Sequence, residues 1–90
     1  MPSESDHVRV WLVERDYNNR DLIVLTYATP DGIRAFRREL AAQAVDLDSV
    51  TAAEDVSPDD LSSVADPDER ERYAAEATRM AEEHDPAETI

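Results

Sequence analysis

Few residues in this chain stand in arrangements that do chemistry. The two histidines, His7 and His84, lie near opposite ends of the 90 residues. A metal site would need both, plus a third ligand such as Glu83 or Asp85, to meet in space. As a general base, His84 has no evident nucleophile to serve, because the serines fall in tails, loops and cap positions. There is no cysteine, so neither a disulfide nor a thiolate metal site is available. Asp46 and Asp48 are spaced like the first ligands of a calcium loop. Val50 then stands where a third oxygen ligand belongs, and no glycine follows. With 22 acidic residues, some carboxylates must be neighbours, so carboxylate pairs carry no signal. Gly32 is the one glycine and lysine is absent, which excludes a Walker loop and a dinucleotide fingerprint. No catalytic, cofactor-binding or metal-binding residue is assigned.

One cluster could bind rather than react. Arg9, Arg15, Arg34, Arg37 and Arg38 accompany Trp11, Tyr27 and Phe36 in a strand-like region. Arginines and rings on a sheet can stack single-stranded bases. The formal charge of −13 opposes that. The structural alternative makes the rings core and pairs the arginines with acidic partners.

The charge is also lopsided. Residues 1–45 carry seven acids and six arginines, whereas 46–90 carry fifteen acids and three arginines. Such a chain repels nucleic acid and anionic membranes. It also suits molar salt, where a Debye length of about 3 Å removes most self-repulsion. Salt adaptation is the preferred reading of the acidity, with binding of basic partners as the rival. No apolar run approaches the roughly 20 residues that span a bilayer, and "MPSESDH" lacks the features of a signal peptide. A cytoplasmic location is expected.

The elements that would position any site are read from periodicity. Residues 1–6 are expected to be a disordered tail, 7–85 a single domain, and 86–90 a C-terminal tail. "HVRVWLVER" alternates as a strand, with Val8, Val10 and Leu12 on one face and Arg9, Trp11 and Val13 on the other. "DYNNRD" reads as a hairpin loop. "LIVLTYAT" is apolar on both faces, as in a central strand covered on both sides. One helix covers one side, so the other is expected to need a second helix or another copy of the protein. A homodimer anchored by Trp11 and Val13, with Tyr27 and Phe36 near the interface, follows from that expectation.

In "TPDG", Pro30 and Asp31 fit the centre of a type I turn, and Gly32 fits the left-handed position of a bulge after it. Beyond it, Ile33, Phe36, Leu40, Ala41, Ala44 and Val45 would fall on one helical stripe. A helix from Ile33 would nevertheless place Arg34, Arg37 and Arg38 at its positive end. A third strand over about 33–38 is therefore expected, followed by a short helix over about 39–46. A weak strand is expected around Val50 to Val56, and a helical turn at "SPDDLSSV" with Ser57 as N-cap and Pro58 at its first position. The C-terminal helix is the clearest element. Asp66 caps it, Pro67 and Glu69 follow at the favoured positions, and Tyr73, Ala74, Ala77, Met80 and Ala81 form an apolar stripe that ends near His84.

Taken in order, "VWLVER", "LTYATPDG", "VTAAEDV" and "ERYAAEATRMAEEHDP" resemble a group of small uncharacterised proteins of halophilic archaea. The resemblance implies a salt-adapted cytoplasmic protein and supplies no catalytic residue. The expected fold is α+β: a three-stranded antiparallel sheet, a weak fourth strand, and a C-terminal helix on one face. The expected function is a non-enzymatic interaction or accessory protein that self-associates through its sheet, with no cofactor and an unidentified protein partner. The alternatives are a small-ligand enzyme with its site in a dimer crevice, and a weak binder of single-stranded nucleic acid through the Arg/aromatic surface.

Overall fold

The computed structural model describes residues 7–17, 22–41 and 50–90. Five strands form one antiparallel sheet: β1 (Val8–Tyr17), β2 (Leu22–Ala28), β3 (Arg34–Ala41), β4 (Ala53–Val56) and β5 (Ser62–Ser63). Their order across the sheet is β4-β1-β2-β3-β5. The single described helix, α1 (Pro67–Glu83), follows β5 and packs on β1 and β2. The α+β class agrees with the sequence, and the sheet has five strands rather than three or four.

The alternating pattern of β1 and the apolar run of β2 pair as expected, with Trp11 opposite Ala28 and Leu12 opposite Tyr27. A bulge at Val13 then shifts the register, so that Glu14 opposes Thr26. The third strand extends through Ala41, which pairs with Leu22, while Leu40 pairs with Ile23. The helix expected from residue 39 is thus corrected at Glu39, Leu40 and Ala41. Pairing with β2 overrides a helical period that is only local. The rest of that segment lies within 42–49, outside the described residues, as do the tail 1–6 and residues 18–21 of the hairpin loop. The later caps are as read: Ser57 accepts from Asp59 N–H above a 3-10 turn at Pro58–Asp60, and Asp66 accepts from Asp68 N–H at the start of α1.

Register assigns the two faces. Trp11, Ala28 and Ala35 share one side with Glu14, Thr26 and Arg37. Leu12, Tyr27 and Phe36 share the other with Leu25 and Arg38. Helix α1 covers the first side, where Tyr73 packs with Ala28, Val64 and Ala35. The second side has no helix among the described residues, yet Val10, Leu25 and Tyr27 are fully buried. Curling of the sheet accounts for this. Five residues, partly wound into the 3-10 turn, carry the chain from β4 at one edge to β5 at the other. A flat sheet would separate those edges by about 19 Å, near or beyond the reach of so short a segment. Arg38 on β3 also meets Glu54 on β4 at 2.5 Å, across two intervening strands. The concave side is therefore filled by the sheet's own large side chains, together with Val50, Ala52 and Val56. The two-faced β2 is therefore buried within one chain, without a second copy.

Candidate functional site

The hairpin tip joins three elements. Gly32 has φ +73° and its N–H donates to Thr29 O at 2.8 Å, as a type I turn with a left-handed residue requires. The closing pair is Thr29 with Arg34, one residue beyond Ile33, because side chains take over part of the loop. Asp31 accepts from Ile33 N–H at 3.0 Å and from the Thr29 hydroxyl at 2.5 Å. Arg34 N–H donates to the Thr29 hydroxyl oxygen at 3.2 Å. These bonds, the Thr29 hydroxyl first and the Ile33 N–H second, hold the Asp31 carboxyl below its ordinary range. Gly32 also lies against α1: a Cβ there would overlap Arg70 O and crowd Ala74 N. Ile33 O accepts from Val64 N–H at 2.8 Å, and Val64 O accepts from Arg70 Nε. Pro30, Asp31 and Gly32 thus serve as turn and helix dock together.

Beside this junction, on the helix side, lies a groove of about 550 Å³. Strands β1 to β3 supply Glu14, Asp16, Thr26 and Arg37; the 3-10 turn supplies Asp60; α1 supplies Glu69 and Tyr73. The bulge at Val13 places Glu14 here, where unshifted alternation would leave Val13 opposite Thr26. Tyr73 donates to Glu14 at 3.3 Å, and Arg72 lies over the Tyr73 ring at 5.3 Å and 3.7 Å from Glu14. Burial, then the charges of Glu14 and Glu69, push Tyr73 up to about 12. It is a hydrogen-bond donor, and no base, across the neutral range.

The concave side holds the other polar constellation. The Tyr27 hydroxyl is buried with no hydrogen-bond partner among the described residues. It is pushed up to about 12 by burial and by the Glu54 charge, with Arg38 acting the other way. The Arg38–Glu54 pair sits at the rim above it, and Phe36 stacks obliquely on its ring at 6.2 Å. His84 lies at the end of α1, where Nδ1 meets Glu88 at 2.5 Å, and this contact holds the Glu88 carboxyl down. No group of three metal-ligating side chains occurs among the described residues, and no described helix is long and apolar enough to cross a membrane. Asp46 and Asp48 lie outside the described residues.

The expected interface residues do not share one surface. Trp11 is 7% exposed on the helix side, and Tyr27 is 0% exposed on the concave side. Val13 and Phe36 are partly buried against the core clusters. Buried rings present no face to a base or to a flat partner. Four of the arginines have carboxylate partners: Arg9 with Asp55, Arg38 with Glu54, Arg72 with Glu14, and Arg79 with Glu76 and Glu83.

What the sequence reading missed is the condition of the sheet edges. The residues before and within β4 are flanked by the chain's last residues. Ala52 N–H donates to Glu88 O at 2.8 Å, Ala53 N–H to Pro86 O at 3.0 Å, and Ile90 N–H to Val50 O at 2.9 Å. At the opposite edge, β5 pairs only with Arg34 and Ala35 of β3. Arg34 bonds inward to Thr29, so alternation turns the backbone groups of Arg37 and Glu39 outward. Among the described residues these outward groups have no backbone partner. The only sequence signal for this is the contrast between an eight-residue β3 and the two-residue "SS" that borders it.

No curated protein and no solved structure matches the chain. Residues 4–90 match the model of a family of unknown function (DUF7967), and the chain belongs to that family.

Proposed function

We propose that this is a small, salt-adapted, cytoplasmic, non-enzymatic interaction domain that self-associates through its sheet. The observation that carries this reading is the edge of β3 beyond Ala35, which no strand among the described residues borders. An edge with unpaired N–H and C=O groups is a template for another strand. The charge of −13 without lysine supports the salt adaptation. It also sets the condition for assembly, since two such chains repel until salt screens them. The two most buried phenols stay protonated across the neutral range, which suits a binding role better than a proton-transfer one. Sedimentation equilibrium across a concentration series, at low and at molar salt, tests the reading. A dimer that tightens as salt rises is expected. A monomer at every concentration in molar salt would remove the reading.

A further inference from the structure

We infer that the partner at the β3 edge is a second copy of β3, running antiparallel about a two-fold axis at Arg38. The inference rests on the proposal of self-association and specifies its surface. The strand reads Ala35-Phe36-Arg37-Arg38-Glu39-Leu40-Ala41. Its chemistry is complementary about the centre: Phe36 against Leu40, and Arg37 against Glu39. In an antiparallel pair centred on Arg38, Arg37 of each copy faces Glu39 of the other.

Geometry agrees with this register. Arg37 and Glu39 are the positions whose backbone groups turn outward, so both fall in hydrogen-bonded pairs. Their side chains lie on the helix side of the sheet, where opposite charges directly across from each other are favourable. Arg38 falls at the axis with its side chain on the concave side, where Glu54 already neutralises it. Centring on Glu39 would instead set Glu39 against Glu39 between two acidic chains. Pairing covers Arg37 to Glu39 and stops towards Ala35, where Ser62 already occupies the edge.

The cysteine-free chain allows a direct test. Arg37→Cys and Glu39→Cys proteins are mixed in molar salt and oxidised mildly, and disulfide-linked species are identified by mass. The inference expects the mixed Arg37→Cys/Glu39→Cys species to dominate over either homodimer. In parallel, Arg37→Glu should weaken the dimer about tenfold, and the Arg37→Glu/Glu39→Arg double variant should restore it. Circular dichroism shows that each variant is folded. A wild-type dimer without the mixed cross-link, or one weakened equally by the single and double variants, overturns the register while leaving self-association in place. A wild-type monomer at all concentrations overturns both.

Discussion

On the helix side the sheet carries Trp11 beside the smaller Ala28 and Ala35, under a helix that buries Tyr73, Ala77 and Met80. On the concave side it carries Leu12, Leu25, Tyr27 and Phe36, and no described helix stands over them. The first face is buried by bringing a helix backbone close, to the point that Gly32 has no room for a Cβ. The second is buried by bending the sheet around its own large residues. Among the described residues, both faces of the central strand are thus buried within one chain, one under a helix and the other inside the curl of the sheet. The faces also differ in polar chemistry. The helix face opens onto an acidic groove, whereas on the concave face one ion pair sits above a phenol that has no hydrogen-bond partner among the described residues.

Substitutions on the two faces should separate these modes of burial. The largest loss is expected on the concave side, where Leu25→Ala leaves a cavity under the curl and should cost about 4 kcal/mol in urea unfolding. Met80→Ala, on the helix side, should cost less within the same range. Gly32→Ala should cost about 3 kcal/mol, from the positive φ and from overlap with Arg70 O. Combined with Leu25→Ala it should be additive within about 0.5 kcal/mol, because the two act on opposite faces. Strong coupling would show that helix docking and curling are one event, and would break the comparison. Arg38→Ala, which opens the partly buried rim pair, should cost only about 1 kcal/mol, and less in molar salt. Tyr27→Phe removes a buried hydroxyl that has no partner among the described residues and should be neutral or stabilising by up to about 1 kcal/mol.

The pH dependence sharpens the same contrast. Tyr27 and Tyr73, one on each face, both have folded values near 12 against an ordinary 10.0. A raised value means stabilisation that is complete below pH 10.0 and lost as pH rises through about 12. Tyrosinate absorbance should therefore show two late-titrating groups, reduced to one in Tyr27→Phe. Asp31 gives the acid counterpart. Its lowered value stabilises the turn above the ordinary carboxylate range, and that contribution is lost as pH falls through the folded value. Asp31→Asn should flatten the acid limb of the stability curve.

Local chemistry made much of this fold legible. Gly32 after Pro30-Asp31, Asp66 before Pro67, and Ser57 before Pro58 announce their backbone geometry within a few residues. The alternation of β1 and the two apolar faces of β2 were equally plain. The length of β3 was not, because Leu40 and Ala41 fit a helical stripe, and only pairing with Ile23 and Leu22 decides against it. The two serines of β5 carry no pattern at all. The curl leaves no local signal either: it depends on which strands end up at the edges, and the expectation of an uncovered second face failed for that reason. Trp11 reads as an interface anchor because aromatic side chains favour interfaces, although a small core needs such rings most. The groove was hidden by the bulge at Val13, which turns Glu14 to the helix side without any glycine to mark it.

The junction at Gly32 also bears on the order of assembly. The β2–β3 hairpin closes through contacts a few residues apart, whereas Gly32 meets Arg70 and Ala74 only after some forty intervening residues have found their places. Loop closure on that scale is an entropic cost met late in folding. The turn can form early with its glycine already in the left-handed state, and the helix then finds a gap of the right size waiting. In kinetic terms, the empty side-chain position acts mainly on the rate at which the helix leaves.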